Sequence, residues 1–333
     1  MPNKSARSTH QWAEALWYGN SWFAVVLSPL TSIFLFLSRI RKWKQSLSKS
    51  KFTVPVIVVG NITVGGTGKT PMVITLMNNL KQMGYAPGVA SRGYGGSLTQ
   101  ITLINESHSA SVAGDEPVMI FRNTQCPVVV SQNRPDAIKK LINVHHCNVV
   151  ICDDGLQDYR FEHDVEIAMV DGERVFGNGR LLPAGPLRES ISRLNNVDFI
   201  VTTSKSLPTV SQDCMHLQID ECRQLNNPQN KRRIEQFKGK LVHAVAGIGN
   251  PHRFFSHLTS LGLNVMEHPF RDHAQYSLED FNFSEQYPIL MTEKDAVKCM
   301  DMEIDNAWYL PVKAQLPENF MTRLKVLLRN VDG

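Results

Sequence analysis

The chain has 333 residues, 42% hydrophobic and 20% charged, with a mean hydropathy of −0.19, which suggests about two domains and excludes a peptide module, a disordered chain and a polytopic membrane protein. Its net charge of +4 is local: Arg39, Arg41, Lys42, Lys44, Lys49 and Lys51 form one run without an acid, and the chain beyond Lys51 is net acidic. A nucleic-acid protein spreads its charge over a whole binding face, so one basic run beside an apolar segment argues against nucleic acid and for a membrane surface.

That apolar segment comes first in the chain. No charge lies between Glu14 and Arg39, and the densest part runs from Trp22 to Leu37 (WFAVVLSPLTSIFLFL). As a helix it would measure roughly 24 Å, short of the hydrocarbon core at about 30 Å, and Pro29 interrupts it. The basic run follows the apolar stretch and no small-residue cleavage site precedes it, which disfavours a signal peptide. Trp17, Tyr18 and Trp22 at one edge, and Arg39, Arg41, Lys42, Trp43 and Lys44 at the other, form the aromatic and cationic borders of an interfacial helix. The expectation is an amphipathic or shallowly inserted anchor on the cytoplasmic face; a tilted span stays open, and a buried core helix is the competing reading.

Val54 to Val59 is continuous, apolar and β-branched, as suits a parallel strand buried on both faces. Gly60 to Pro71 follows (GNITVGGTGKTP), then a helical stretch from Met72 to about Met83. In such a strand, loop and helix, backbone amides turn toward a phosphate, Lys69 reaches the terminal phosphates and the Thr70 hydroxyl can ligate Mg²⁺. Thr63, Val64, Gly65, Gly66, Thr67, Gly68, Lys69 and Thr70 are therefore the expected nucleotide-binding residues, with Thr63 where the usual pattern starts with Gly. Ala86 to Ala90 reads as a further strand, followed by SRGYGG at 91–96, whose Arg92 is a candidate phosphate or substrate contact.

Gly114-Asp115-Glu116-Pro117 reads either as a helix start with dipole-stabilising acids or as a metal ligand beside an acceptor of a hydroxyl proton. Asn148 to Cys152 is a second apolar strand that delivers Asp153-Asp154-Gly155 to its carboxyl end, where open α/β sheets bind ligands. It resembles a Walker B element: one acid can hold Mg²⁺ while the other orients something else, and which does which is open. A turn-forming Asp-Gly pair is the plainer alternative. None of the six cysteines has zinc-ligand spacing, so free thiols in a reducing compartment are expected.

The polar stretch Asn226 to Lys240 reads as a linker, after which Leu241 to Gly247 opens a fresh strand and turn. Pro251 to Leu261 reads as a helix, and Asn264 to Phe270 and Ile289 to Thr292 as strands, with His273 on a loop between them. The expected fold is α/β: a P-loop NTPase-like, mostly parallel sheet with flanking helices, a smaller C-terminal α/β domain and an N-terminal membrane-associated helix. Expected boundaries are 1–50 for the membrane-associated segment, 51–235 for the P-loop core and 236–333 for the smaller domain.

These motifs, together with NGRLLPAGPLRE at 178–189, GIGNPHRFF at 247–255, DHAQYS at 272–277 and TEKDAVKC at 292–299, resemble in order and over nearly the whole chain the tetraacyldisaccharide 4'-kinase family. The resemblance implies ATP and Mg²⁺ as cofactors and transfer of the γ-phosphate to the 4'-hydroxyl of an acylated glucosamine disaccharide 1-phosphate, the lipid A precursor, at the cytoplasmic face of the inner membrane. No obligate protein partner is implied. An Asp/His pair that activates the sugar hydroxyl would be Asp115 and His273, beside Lys69. Mg²⁺ ligation would fall to Thr70, Glu116, Asp153 and Asp154, and Arg92, Arg180, Arg188 and Glu189 are candidates to contact substrate. Two positions depart from the family pattern: Asp158 stands where a His is common, and Arg271 where a Pro commonly precedes the Asp-His pair. A membrane-associated P-loop NTPase switch shares the G-K-T and downstream Asp and is the alternative, ahead of a nucleotide-sensing adaptor without turnover.

Overall fold

The computed structural model describes residues 16–19 and 22–331; residues 1–15 of the expected membrane-associated segment, with Lys4, Arg7 and Glu14, lie outside the described residues. In chain order the elements are α1 (Phe23–Val26), α2 (Ser28–Ser46), β1 (Val56–Gly60), α3 (Lys69–Gln82), β2 (Pro87–Ser91), β3 (Thr102–Leu103), α4 (Ala110–Ala113), α5 (Asp115–Thr124) and β4 (Val128–Val130). There follow α6 (Arg134–Asn143), β5 (Val149–Asp153), β6 (Val165–Asp171), β7 (Phe199–Thr203), β8 (Asp213–Gln218), β9 (Glu221–Gln224), β10 (Lys231–Arg233) and β11 (Leu241–Ala246). The remainder comprises α7 (Pro251–Ser260), β12 (Asn264–Pro269), β13 (Ile289–Thr292), α8 (Glu293–Cys299), β14 (Ala307–Leu310), β15 (Lys313–Gln315) and α9 (Phe320–Val331).

Two compact units result, and they interleave along the chain. The first comprises Met1–Ser91, Asn133–His216 and Gln315–Gly333, and the second Arg92–Gln132 and Leu217–Ala314. The sequential division at 235/236 expected from the chain differs from this grouping, because 92–132, which carries the Gly-Asp-Glu-Pro turn, groups with residues 217–314.

In the first unit the strands run β8-β7-β6-β1-β5-β2, all parallel. Every residue of β1 is buried, as its unbroken β-branched run requires of a central strand. Met72, Val73, Leu76, Met77 and Leu80 give α3 one apolar face, fully buried. Helix α9 closes the same unit with Phe320, Leu324 and Leu328, each at 0% exposure and four residues apart; Phe320 packs on Phe199 with ring centroids 4.7 Å apart. By contrast α2 buries none of its residues, which overturns the core-helix reading. Leu30, Ile33, Phe36 and Leu37, spaced by one, three and four residues, are all exposed.

The second unit is built on a six-stranded sheet of order β10-β9-β14-β13-β11-β12, parallel from β14 to β12 and antiparallel at β9 and β10. Alternation along β11 feeds two cores: Val242, Ala244 and Ala246 join Phe254, Phe255 and Leu258 of α7 on one face, and Val245 joins Met291, Ala296 and Cys299 on the other. The stretch 226–240 is not a linker. It contributes β10 to the sheet and buries Ile234 and Phe237, two apolar anchors hidden among charged neighbours.

Candidate active site

The phosphate loop leaves the carboxyl end of β1 and enters α3 at Gly68, whose φ of +82° is open to glycine at little cost. A Cβ there would lie 2.9 Å from Thr203 Cγ2, so the loop has no room for a larger residue. The first turn of α3 has no acidic side chain and no side-chain cap, leaving its free amides and the positive helix end available to an anion. Thr70 is buried, and Thr67 Oγ1 is buried without a hydrogen-bond partner among the described residues, as suits a hydroxyl whose partner is a ligand. Asn61, at 0% exposure, ties the loop together: its amide donates to the Gly65 carbonyl at 3.3 Å, and its Oδ1 accepts from Lys69 Nζ at 3.3 Å.

A second wall comes from 178–189. Thr63 bridges Leu187, Val64 N donates to the Pro186 carbonyl at 2.8 Å, and Arg188 N donates to the Ile62 carbonyl at 2.7 Å. Arg188 thereby meets Asp154, Nη1 to Oδ2 at 3.1 Å, while Lys69 Nζ stands 3.4 Å from Oδ1 of the same carboxylate. Burial alone would raise the Asp154 pKa, but Lys69, Arg188 and Arg134 outweigh it and hold the carboxyl well below its ordinary range. Register places Asp153 opposite Val59, at the edge from which the phosphate loop departs. Glu189, expected to touch substrate, instead accepts from Gln157 Nε2 at 3.0 Å and from the Tyr159 hydroxyl. Arg180 is not with Arg188: its Nη1 donates to Ser28 Oγ of α2 at 2.7 Å. It lines a cavity of about 310 Å³ with Ser28, Thr31, Leu181, Leu187 and Ile191.

The second unit holds the other constellation. Asp115 begins α5 behind Gly114, whose φ is +92° and where a Cβ would lie 2.8 Å from the Tyr94 carbonyl oxygen. Asp115 is 4% exposed and its carboxylate meets His273 Nδ1 at 3.0 and 3.2 Å. Burial raises the Asp115 pKa, but the His273 hydrogen bond, Lys294 and Lys298 together bring it below the ordinary value, so the carboxylate is an acceptor and Nδ1 carries the proton. His273 has a φ of +57°, uncommon outside glycine, and its ring lies edge-on to Tyr94 with centroids 4.9 Å apart. Glu116, in the expected Mg²⁺ set, is 3.3 Å from Lys294 Nζ. Arg92 falls in this unit and is half-buried.

Residues 23–329 match the family model described as tetraacyldisaccharide-1-P 4'-kinase. The chain belongs to the tetraacyldisaccharide 4'-kinase family. It is an enzyme, a kinase. The tetraacyldisaccharide 4'-kinase of Methylobacillus flagellatus is 44% identical over 330 residues, covering 97% of this chain and 98% of the relative. That of Coxiella burnetii is 45% identical over 324 residues, 96% of each chain. A crystal structure of LpxK from Aquifex aeolicus in complex with ATP is similar with a TM-score of 0.75 at 28% identity, covering 93% of this chain and 100% of that one. Four residues of this family member escape a reading by motif chemistry. Asn61 lies in the Gly60 to Pro71 motif, Lys294 in TEKDAVKC and Gln157 just beyond Asp153-Asp154-Gly155, but none is a residue type whose role is evident without its neighbours. Arg134 stands in no motif, yet at 2% exposure it donates to the carbonyls of Asp153 and Asp154, the latter at 2.8 Å.

Proposed function

We infer that this kinase transfers the γ-phosphoryl group of ATP to the 4'-hydroxyl of a tetraacylated glucosamine disaccharide 1-phosphate, a lipid A precursor. The observation that carries the chemistry is the 3.0 Å pair between buried Asp115 and His273 Nδ1. A sugar hydroxyl is a poor nucleophile at neutral pH, and an imidazole whose Nδ1–H is held by a carboxylate presents Nε2 as the acceptor of its proton. The hydroxyl oxygen forms the new bond to the γ-phosphorus, its proton passes to Nε2, and the bond to the bridging oxygen of ADP breaks. The free amides at the start of α3 and Lys69 hold the phosphates and draw off their charge. Thr70, Asp153 and Asp154 offer hydroxyl and carboxylate oxygens at one sheet edge, a donor set that fits Mg²⁺. Bound there, the ion would neutralise charge on the transferring phosphoryl group. Glu116, also expected to ligate the ion, is paired with Lys294 at 3.3 Å within its own unit. Arg92 and Arg180 are the substrate contacts proposed outside the phosphate loop, Arg180 from the wall of its cavity.

The membrane presents the lipid. We place the α1–α2 segment in the cytoplasmic interface of the inner membrane, because Trp22, Phe23, Val26, Leu30, Ile33, Phe36 and Leu37 are exposed ahead of the basic run. Among the described residues no helix is long and apolar enough to cross a membrane. The deciding assay incubates the protein with Mg²⁺, γ-labelled ATP and the tetraacyl disaccharide 1-phosphate in detergent. Label should appear in the lipid and vanish with Lys69→Ala, and His273→Ala should lower kcat by about 10²–10⁴-fold. Label found only as free phosphate would replace this reading with that of a nucleotide-hydrolysing switch.

A further inference from the structure

Lys294 takes no part in the transfer as described, yet it stands at the centre of the Asp115 and His273 constellation. It is the second residue of α8, whose start is fixed by the Thr292 hydroxyl accepting from Asp295 N at 3.1 Å. Its ammonium lies 3.2 Å from Asp272 Oδ1, 3.3 Å from Glu116 Oε1 and 3.8 Å from Asp115 Oδ2. It also faces His273 Nε2 at 3.5 Å, a long contact but a direct one.

We propose that Lys294 is a positioning residue for the base, holding the His273 ring so that Nδ1–H points at Asp115 and Nε2 is kept free of a proton. The proposal rests on His273 being the base. Three carboxylates converge on this ring: Asp115 at Nδ1, Asp272 3.8 Å from Nε2, and Glu116 across Lys294. Unopposed, they favour an imidazolium, which cannot accept a proton. Lys298 is a second cation nearby, 3.9 Å from Asp115, but it is paired with Asp295 at 2.9 Å. The Lys294 ammonium supplies the missing charge, and a second N–H on Nε2 would point straight at it. Burial disfavours that ammonium, but Glu116, Asp115 and Asp272 more than compensate, so the cation persists. When the acceptor hydroxyl takes Nε2, Lys294 retains Asp272 and Glu116 and need not leave. The ring has little freedom to escape this arrangement: Tyr94 lies edge-on to it, and a Cβ on Gly95 would sit 3.6 Å from Nδ1.

The test uses full-length protein in detergent, ¹⁵N-labelled at histidine, as wild type, Lys294→Met and Lys294→Arg, with thermal melts on each. In Lys294→Met the ring nitrogens at pH 7 should give the imidazolium signature. The acid limb of kcat should move up by about one unit or more, with activity recovering at high pH and KM for ATP within about twofold of wild type. Lys294→Arg, which keeps the charge, should keep the wild-type signature and so separates positioning from folding. A wild-type ring signature in Lys294→Met, or a loss of kcat equal at every pH, overturns the proposal. A changed ring signature with an unmoved rate profile overturns the base reading alone and leaves the hold of Lys294 on the ring standing.

Discussion

Asp158 is 1% exposed and stands between two guanidinium groups, Arg134 Nη1 at 3.1 Å and Arg160 Nε at 2.7 Å. The pair of arginines accommodates a buried carboxylate at this position. Arg134 in turn braces the backbone of Asp153 and Asp154. Removing one partner of a buried pair strands the other charge, so Asp158→Ala should destabilise the fold by about 3–5 kcal/mol in urea unfolding. The double variant with Arg134→Met should cost less than the two single changes added together, as coupled partners do. Asp115 makes a prediction with a sign. Its folded pKa lies below the ordinary carboxylate value of about 3.9. The stability it contributes is therefore present above that value and lost as pH falls through the lower folded one. Acid unfolding followed by circular dichroism should show a shallower loss of stability below about pH 4 in Asp115→Asn than in wild type. Lys69 could be singled out from its motif chemistry, whereas Asp115 and His273 are paired only by the resemblance to the family. Arg134 could not be singled out, since a guanidinium gains meaning only from the carbonyls it reaches.

At the scale of elements, the buried parallel strands were the most legible. A strand covered on both faces must be apolar throughout, and β1, β5 and β13 carry that signature within two residues of their observed ends. Helix α5 begins at Asp115, ahead of Pro117, with Gly114 at a φ of +92° before it, so the acid itself takes the first helical position. The 226–240 stretch misled for the opposite reason, with two buried anchors outnumbered by solvated neighbours. Helix α2 is the element whose function is most exposed to test. It is docked by Thr31 Oγ1 on the Leu181 carbonyl at 3.3 Å, by Gln45 Oε1 accepting from Tyr159 N at 3.1 Å and by Lys42 over the Tyr159 ring at 4.3 Å, so its apolar side remains outward. The protein should sediment with vesicles containing anionic lipid and be partly released by high salt. Replacing Arg39, Arg41 and Lys44 by Glu should weaken that partition by at least about 1 kcal/mol per residue. Leu30→Glu with Phe36→Glu should abolish it on neutral vesicles too.

The interleaving of the units belongs to the whole molecule and was not legible, because composition and motif order follow the chain while contacts do not. Residues 92–132 leave the first unit at the end of β2 and return for α6, and their Asp115 meets a histidine 158 positions later. A fragment spanning 51–235 should accordingly not fold. It would carry 92–132 and 217–235 without the β11 to β14 core, and the first unit would lack α9. Circular dichroism and proton NMR of that fragment should show no cooperative transition, whereas the full chain should show one.

The position of α9 also constrains how the protein is made. Phe199 waits for Phe320, and Asp213 for Arg323 at 2.5 Å, while the ribosome translates all of 217–314. The earlier unit therefore stays unsealed at β7 until its last piece emerges, and the later one has every part it needs first. Birth order and completion order are reversed in this chain, which exposes the β7 face to chaperones or to aggregation during that interval.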